Sequence, residues 1–425
     1  MGHDPMRTRA WVLHPDIYGV GDRRAPELAL EEAVSLAHAL PGLEPCGAQI
    51  VRLQRAHPGM LFGKGKIAEL KTVFEEAEVE LVLIDGPVTP VQQRNLEKEW
   101  GVKLLDRTGL ILEIFSDRAA TREGVLQVEM AALSYQRTRL VRAWTHLERQ
   151  RGGLGFVGGP GETQIEADRR AIDLQLVRLR RQLEKVVKTR TLHRAARAKV
   201  PFPIVALVGY TNAGKSTLFN HLTGAEVMAK DMLFATLDPT MRRIALPGGG
   251  PEVILSDTVG FISDLPTELV AAFRATLEEV LSADLICHVR DIAHPETEAQ
   301  KRDVEAILEG LNVAEDTPRI EIWNKIDLLS DDDRAAAIAR AERMDDVQAL
   351  SSVTGEGMQA FVERIAEALA TEMRNETVEL AFAAGRQRAW LFERGLVEHE
   401  TQTETGFTLE VRWSLRQASE FAALG

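Results

Sequence analysis

Cysteine is scarce in this sequence: its 425 residues include only Cys46 and Cys287, which lie far apart inside predicted strands. This placement favours two reduced packing residues over a disulfide. No uncharged apolar run approaches the roughly 20 residues that span a bilayer. The first residues, MGHDPMRTRAWVLHP, lack the apolar core of a signal peptide, and Met6 is a second candidate for the start. These absences predict a cytoplasmic protein without a membrane span.

Internal repeats and low-complexity tracts are also missing from the sequence. Charged residues make up 27% of the chain and apolar residues 45%, a balance that is typical of globular proteins. A chain of 425 residues is too long for one ordinary hydrophobic core. Three or four domains are therefore expected.

The net charge of −13 hides a strong asymmetry along the chain. Residues 116–200 contain 18 lysines and arginines against 9 aspartates and glutamates, a net charge of +9, which leaves −22 for the remainder. A basic block in an acidic protein is typical of a surface that binds a polyanion. A solvated helical surface explains the charge equally well, so both interpretations stay open.

The first part of the chain, 9–117, alternates short apolar runs with amphipathic stretches. The runs RAWVLH, QIVRL, LVLID and VKLLD predict strands, and helices are expected between or after them. This order predicts a small parallel α/β domain. Its FGKGK segment, 62–66, lacks the spacing of a phosphate-binding loop, and we interpret it as the start of a helix.

Two heptad patterns follow, separated by a glycine-rich segment. They predict an antiparallel hairpin of two helices, each ~40–55 Å long at 1.5 Å per residue. Arg137 and Arg169 interrupt the apolar seam. The connecting segment RGGLGFVGGPGE has six glycines in Gly152–Gly161 and cannot pack a core. The apolar seam positions are Leu126, Met130, Leu133, Leu140, Trp144 and Leu147 in the first helix, and Ile165, Ile172, Leu176, Leu179, Leu183 and Val186 in the second.

A phosphate-binding motif appears in IVALVGYTNAGKSTLFNHL, where Gly209-x4-Gly214-Lys215-Ser216 joins an apolar strand to a helix. The glycines let backbone N–H groups surround phosphates at the helix N-terminus, where the helix dipole favours anions. Lys215 is expected to reach the β- and γ-phosphates, and the Ser216 hydroxyl is expected to bind Mg²⁺. The motif predicts a nucleotide-binding domain of the doubly wound type.

The identity of the nucleotide base is predicted by RIEIWNKID, in which a strand leads into the NKID segment, 324–327. The Asp327 carboxylate can accept hydrogen bonds from the ring N–H and the amine of guanine, whereas adenine offers no matching donors. In QALSSVTGEG, Ser351 and Ser352 occupy the usual place of a serine–alanine pair that contacts the guanine oxygen. The predicted nucleotide is therefore GTP or GDP.

Two segments between these motifs have the features of nucleotide switches. In VILSDTVG, Asp257 is expected to hold Mg²⁺ through water, and the Gly260 N–H to sense the γ-phosphate. In LFATLDPT, Thr236 is the predicted second Mg²⁺ ligand, with Thr240 as the competing candidate. Phe261 follows the switch glycine at the position where Ras-like GTPases carry the glutamine that orients the attacking water.

These segments together resemble the HflX family of translation-associated GTPases. The resemblance is carried by GYTNAGKSTLFN, MLFATLDPT, DTVGFISDLP and NKID, and outside them by LDRTGLILEIFSDRA, LQVEMAALSYQRTRLVRAW and GGLGFVGGPGETQIEADRR. It covers the chain from about residue 60 to the end. It implies slow GTP hydrolysis that the ribosome stimulates, and binding of a monomer to the large ribosomal subunit and its RNA. It further implies that the protein splits or rescues ribosomes under stress.

The predicted fold is α/β and multidomain, with four parts. These are an N-terminal parallel α/β domain, a helical hairpin with a glycine-rich tip loop, a doubly wound P-loop GTPase domain and a small α+β C-terminal domain. Their predicted ranges are 7–118, 119–200, 201–372 and 373–425.

The predicted site residues fall into three groups. The catalytic positions are Lys215, Thr236 and Gly260, and the Mg²⁺ positions are Ser216, Thr236 and, through water, Asp257. The GTP-binding positions are Gly209, Tyr210, Thr211, Asn212, Ala213, Gly214, Lys215, Ser216, Thr217, Phe234, Ala235, Thr236, Leu237, Asp238, Asp257, Thr258, Val259, Gly260, Asn324, Lys325, Ile326, Asp327, Ser351 and Ser352.

The resemblance also bears on Phe261, because the family carries a hydrophobic residue at that position. Asn212 resembles the asparagine by which some related GTPases bind K⁺, and such an ion would supply charge near the phosphates. A role in which Asn212 only caps the loop is equally open.

The basic hairpin is expected to carry its tip into a cavity of the large subunit, near the catalytic centre. The predicted RNA contacts are Arg151, Leu154, Phe156, Arg178, Arg180 and Arg181. A hairpin that only spaces two domains is the alternative, as is a GTP-gated RNA-binding or assembly scaffold in which hydrolysis triggers release. A tRNA-modifying GTPase is disfavoured because neither cysteine is suitably placed, and a P-loop kinase is disfavoured by NKID.

Overall fold

The structure is a computed structural model of the chain. It describes residues 7–19, 24–150, 160–197, 202–225, 233–234, 236, 240–246, 252–263, 278–311, 313, 317–371, 374–413, 415–422 and 424. The chain divides into two compact units. The first comprises 1–185, 230–238 and 262–276, and the second comprises 186–229, 239–261 and 277–425. The four-part division with boundaries at 118, 200 and 372 stays a prediction.

The N-terminal part is a four-stranded parallel sheet with helices between its strands, as the sequence predicts. Its strand order is β2-β1-β3-β4. FGKGK begins a helix, since Gly63 is the N-cap residue and Lys64 the first helical residue. The elements are β1 (Thr8–Ile17), α1 (Pro26–Ala39), β2 (Leu43–Leu53), α2 (Lys64–Glu76), β3 (Leu81–Ile84), α3 (Pro90–Trp100), β4 (Lys103–Asp106) and α4 (Arg107–Arg118).

Asp106, the last residue of β4, joins this sheet to the helices that follow. Its Oδ1 accepts the Gly109 N–H at 2.9 Å and so caps α4. The same carboxylate accepts hydrogen bonds from the Tyr135 hydroxyl and, at 2.9 Å, from the Arg139 guanidinium. Tyr135 and Arg139 lie in the middle of the next helix, α5 (Arg122–Gln150), so one buried carboxylate fixes this helix to the sheet.

The helix α5 and the long helix α6 (Pro160–Arg197) form the predicted hairpin. At 1.5 Å per residue their 29 and 38 residues correspond to ~44 and ~57 Å, so the second helix slightly exceeds the predicted range. Gln175 donates to Glu129 at 3.2 Å and Arg137 pairs with Asp173 at 2.7 Å, which links the two helices. Side chains of both helices in the apolar seam are buried, among them Leu126, Leu176 and Leu179.

One prediction about the hairpin is wrong: the glycine-rich segment is not a connector along its whole length. Helix α6 begins at Pro160, so Gly161 is helical and α6 extends beyond the predicted first seam residue, Ile165. Proline suits the first helical position because its missing N–H would have no partner there.

The nucleotide-binding part is a six-stranded sheet of order β10-β9-β8-β5-β7-β6. All neighbours are parallel except β6 and β7, which confirms the doubly wound architecture. The strands are β5 (Ile204–Gly209), β6 (Thr240–Ala245), β7 (Glu252–Asp257), β8 (Leu285–Asp291), β9 (Arg319–Asn324) and β10 (Val347–Ala349). The helices are α7 (Lys215–Thr223), α8 (Glu278–Leu281), α9 (Thr297–Gly310), α10 (Asp331–Ala341) and α11 (Met358–Thr371), with a 3-10 helix at Ile326–Leu328.

The C-terminal part is a small α+β module, as predicted. Its antiparallel sheet has the order β11-β13-β12 and is built from β11 (Arg374–Ala381), β12 (Val397–Gln402) and β13 (Gly406–Trp413). Helices α12 (Gly385–Glu393) and α13 (Leu415–Ala422) complete it. Across the whole described part of the chain, none of the helices combines the length and apolar character needed to cross a bilayer.

Candidate nucleotide-binding site

The phosphate-binding loop lies between β5 and α7, at the carboxyl end of a central strand. Two of its glycines are required by close contacts. A Cβ atom on Gly209 would lie 2.2 Å from the Val289 carbonyl oxygen, and one on Gly214 would lie 2.2 Å from the Asn324 Nδ2. Both glycines also have positive φ angles, 154° and 93°, which L side chains rarely adopt. The loop therefore approaches its neighbouring strands more closely than any side chain would allow.

Lys215 begins α7 and folds back over this loop. Its Nζ donates to the carbonyl oxygens of Gly209 at 3.1 Å and Tyr210 at 2.8 Å. The side chain is almost completely buried. Burial lowers the pKa of the lysine to about 8, and the Asp257 carboxylate opposes this change. The amine is thus held at the centre of the loop without a full countercharge, where phosphate oxygens would supply one.

Ser216 and Asp257 form the oxygen pair that the predicted Mg²⁺ site requires. The Ser216 hydroxyl donates to Asp257 Oδ2 at 2.7 Å, and Asp257 is fully buried at the end of β7. Hydroxyl and carboxylate oxygens are ligands that Mg²⁺ accepts. The described residues contain no group of three or more His, Cys, Asp or Glu that could hold a metal ion. The two side chains fit an ion that takes its other ligands from phosphates and water.

The NKID segment meets the phosphate-binding loop through Asn324. The Asn324 Nδ2 donates to the Ala213 carbonyl at 2.8 Å, and its Oδ1 accepts the Ser352 N–H at 2.9 Å. Ser351 has a different role, since its hydroxyl accepts the Thr354 N–H at 3.1 Å and folds its own loop. The structure therefore brings together the three loops that the sequence assigned to one nucleotide.

Asp327 has the property that a guanine acceptor needs. Its Oδ1 atom is covered, yet within the described ranges it has no hydrogen-bond partner. A buried carboxylate oxygen without a donor is costly, and two donors of guanine would relieve that cost. Beside it, Lys325 has a left-handed backbone with φ of 65° and pairs with Asp291 at 2.8 Å. Ile326 between them is buried.

The switch strand continues past Asp257 and pairs with the phosphate-binding loop. The Phe261 carbonyl accepts the Thr211 N–H at 2.7 Å, and the Phe261 N–H donates to the Gly209 carbonyl at 3.1 Å. The Phe261 side chain is buried. Sequence reasoning treated Phe261 only as a side chain without polar atoms, and it missed this backbone role.

The remaining predicted phosphate-side positions occupy the same loops. Thr217 lies in the first turn of α7, Thr258 donates from its hydroxyl to the Leu207 carbonyl at 2.6 Å, and Val259 is buried. Asn212 has a left-handed backbone with φ of 59°, and its side chain is exposed.

The first switch segment groups with the first compact unit. There Phe234 has a left-handed backbone with φ of 56°. Its ring packs edge-on against the ring of Phe115 in α4, with 4.6 Å between the ring centroids. Thr236 is buried, while its neighbours Ala235, Leu237 and Asp238 lie outside the described residues. Thr240, the competing candidate, is the first residue of β6 and pairs opposite Asp257. The assignment of Thr236 to Mg²⁺ stays a prediction.

Sequence reasoning also missed a polar cluster within the first unit. The Arg107 guanidinium donates to the carbonyl and hydroxyl oxygens of Ser263, each at 3.0 Å, two residues after Phe261. Arg107 also binds Glu32 at 2.5 Å and Asp85 at 2.6 Å. Burial acts to lower the pKa of Arg107, but the two carboxylates together outweigh it, so the pKa is raised. No local pattern connects a residue at the start of α4 with one that lies more than 150 positions later.

The predicted RNA contacts divide into two groups. Arg178, Arg180 and Arg181 are exposed on α6. Arg151, Leu154 and Phe156 lie outside the described residues.

The first prediction concerns base choice. Asp327→Asn should lower GTP affinity and create affinity for xanthosine triphosphate, because xanthine has an oxygen where guanine has its amine. Equilibrium titration with fluorescent nucleotides measures the dissociation constants for GTP and for xanthosine triphosphate. The matched control is Asp332→Asn, which changes an exposed carboxylate on α10. Unchanged GTP affinity in Asp327→Asn would remove this residue from the site.

A second prediction concerns the proton on Lys215. Because its pKa of about 8 lies well below that of a solvated lysine, the free chain loses this proton as pH rises through 8. Bound phosphates should restore the charge, so GDP affinity should fall about four-fold from pH 7 to pH 8.5. Calorimetry in two buffers of different ionisation enthalpy should report about 0.8 proton taken up at pH 8.5 and about 0.1 at pH 7. Equal proton uptake at pH 7 and at pH 8.5 would contradict the prediction.

Comparison with known families matches four regions of the chain in order. Residues 27–116 match "GTP-binding GTPase N-terminal" and residues 118–197 match "GTP-binding GTPase Middle Region". Residues 204–325 match "50S ribosome-binding GTPase" and residues 336–424 match "HflX C-terminal domain".

Individual relatives agree with these matches. GTPase HflX of Magnetococcus marinus is 50% identical over 369 residues, which cover 87% of this chain and 83% of that protein. GTPase HflX of Escherichia coli is 44% identical over 357 residues, which cover 84% of this chain and 83% of that protein. Among solved structures, SsGBP in its GDP complex aligns with a TM-score of 0.49 at 21% identity, covering 86% of this chain and 99% of that one. On the strength of the family matches and the extended identity to known relatives, this chain belongs to the HflX family of GTPases.

Proposed function

We propose that this GTPase acts in the cytoplasm on the large ribosomal subunit, where its GTP cycle splits or rescues ribosomes under stress. The observation that carries the proposal is the row of exposed arginines on α6, Arg178, Arg180 and Arg181. The family description matched by residues 204–325 names the 50S subunit as the partner of that family, which supports the same conclusion.

The hairpin has the charge and the rigidity that contact with ribosomal RNA requires. Its arginines can form bidentate hydrogen bonds with phosphate oxygens, which position a protein on RNA without reading the sequence. The buried Asp106 carboxylate fixes α5 to the N-terminal sheet through Tyr135 and Arg139. The hairpin is therefore attached to a packed domain. A freely jointed spacer would not need this anchor.

Nucleotide binding in this proposal uses the oxygen pair of Ser216 and Asp257. Ser216 would bind Mg²⁺ directly and Asp257 would hold it through water, with Thr236 as a further ligand in the GTP state. The bound ion would neutralise charge on the β- and γ-phosphates. Lys215, Gly260 and the backbone of the phosphate-binding loop would hold those phosphates in place.

The ribosome proposal is tested by sedimentation of intact ribosomes with the protein. With GTP, intact particles should convert to subunits, and a non-hydrolysable analogue should retain the protein on the large subunit. The double variant Arg178→Glu and Arg181→Glu should bind about ten-fold or more weakly, because it loses phosphate contacts. The matched control is Arg94→Glu with Lys98→Glu, two exposed basic residues on α3.

Two outcomes would contradict the proposal. Particles that stay intact while the protein co-sediments with large subunits in either nucleotide would favour the assembly scaffold. Equal binding by the α6 variant and the α3 control would leave the hairpin as a spacer.

We also propose that Asn212 binds K⁺ beside the phosphates. The exposed side chain on a left-handed backbone supports this, since it is not buried within the loop that it belongs to. Replacing KCl with NaCl at equal ionic strength should slow hydrolysis, and Asn212→Ala should abolish the difference. Equal rates of the native protein in both salts would favour a capping role.

A further inference from the structure

The Thr211 hydroxyl is a buried polar group that the described structure leaves unsatisfied. Thr211 is the third residue of the phosphate-binding motif, and only 6% of its surface is exposed. Its Oγ1 is covered and has no hydrogen-bond partner among the described residues. A buried hydroxyl without a partner costs about 1–3 kcal/mol. Such groups are rare in folded proteins and require an explanation, and in a binding site a ligand can be the missing partner.

The backbone of the switch strand places Thr211 beside the glycine that senses the γ-phosphate. Phe261 pairs with Gly209 and Thr211 through two backbone hydrogen bonds, at 3.1 and 2.7 Å. In consequence, a Cβ atom on Gly260 would lie 2.8 Å from Thr211 Cγ2 and 3.1 Å from Lys215 Nζ. Thr211, Gly260 and Lys215 therefore surround one position. The Gly260 N–H and the Lys215 amine are the groups that contact a γ-phosphate in GTP switches.

Three neighbouring residues, Phe261, Asn212 and Lys215, carry no buried hydroxyl. The Phe261 ring has no polar atom and is 1% exposed, so it packs into the core. The Asn212 side chain is exposed to solvent. Lys215 is a donor only, and its amine already donates to two carbonyl oxygens of the loop. Thr211 is buried, its methyl group and Cα approach Gly260, and its hydroxyl has no partner among the described residues.

We propose that Thr211 is a catalytic residue whose hydroxyl orients the attacking water at the γ-phosphate. A hydroxyl can donate one hydrogen bond and accept others, so it can accept from this water and donate to a γ-phosphate oxygen. In the reaction the water oxygen bonds to the γ-phosphorus while the bond to the β–γ bridging oxygen breaks. The water protons pass to the products, GDP and inorganic phosphate, and Thr211 is unchanged. This is the task that the glutamine performs in Ras-like enzymes.

Two substitutions separate the hydroxyl from the shape of the side chain. Thr211→Val retains the branched shape without the hydroxyl, and Thr211→Ser retains the hydroxyl without the methyl group. The single-turnover rate of GTP hydrolysis should fall about 100-fold or more in Thr211→Val, as it does when another transition-state hydrogen bond is removed. It should stay within about three-fold in Thr211→Ser, and GDP affinity should stay within about two-fold in both variants.

The matched control removes another threonine hydroxyl from the same domain. Thr223 lies at the end of α7, and its hydroxyl donates to the Phe219 carbonyl at 2.7 Å within that helix. Thr223→Val should hydrolyse GTP at the native rate. Rates are measured in KCl and in NaCl, because the slowing in Thr211→Val should be the same in both salts if Thr211 acts independently of Asn212.

Each other outcome would overturn the proposal. A native rate in Thr211→Val would show that the hydroxyl is not used. Equal slowing in the valine and serine variants would assign the effect to packing of the methyl group. A parallel fall in GDP affinity would indicate that the substitution distorts the loop. Slowing that appears only in KCl would mean that Thr211 acts through a bound ion.

Discussion

The buried amide of Asn324 connects three loops of the nucleotide-binding site. Its nitrogen donates to Ala213 in the phosphate-binding loop, and its oxygen accepts the N–H of Ser352 in the loop after β10. The contact is so close that Gly214 has no room for a Cβ atom. The two amide groups of Asn324, the Ala213 carbonyl and the Ser352 N–H are all removed from water. Loss of the Asn324 amide would therefore leave a buried acceptor and a buried donor without partners. This one side chain therefore links the phosphate-binding and base-binding regions directly.

A second constraint acts on the switch strand, where backbone and side chain have separate roles. The β5–β7 pairing ends at Leu207 and Asp257, and beyond it Phe261 forms a separate parallel bridge with Tyr210 of the phosphate-binding loop. The Phe261 ring is buried. An apolar residue after Gly260 is therefore consistent with an active GTPase. Hydrogen bonds to the attacking water near the γ-phosphate can come from the phosphate-binding loop itself. Thr211 lies in that loop, and its buried hydroxyl has no partner among the described residues.

In the first compact unit, anchoring is also carried by buried carboxylates at the ends of parallel strands. Asp106 ends β4 and binds Tyr135 and Arg139 of α5, while Asp85 follows β3 and binds Arg107. Arg107 in turn binds Ser263, and Phe115 on the same helix packs against Phe234. Residues that flank both switch motifs are thus tied to helix α4. Parallel strands bring such residues together because their carboxyl ends lie at one edge of the sheet.

Local pattern alone determined the strand and helix order, the parallel N-terminal sheet, the phosphate-binding motif and NKID. These features are encoded within short windows, since strand periodicity, glycine spacing and a carboxylate after a strand act over a few residues. The start of α6 at Pro160 was missed because the glycines around it outweighed the preference of proline for a first helical turn. Only the tertiary structure decided the pairing of Phe261 with Thr211, the bridge through Asn324 and the contact of Arg107 with Ser263. Each of these joins residues 28 to 156 positions apart, and their meeting depends on sheet register and close packing, which no local spacing records.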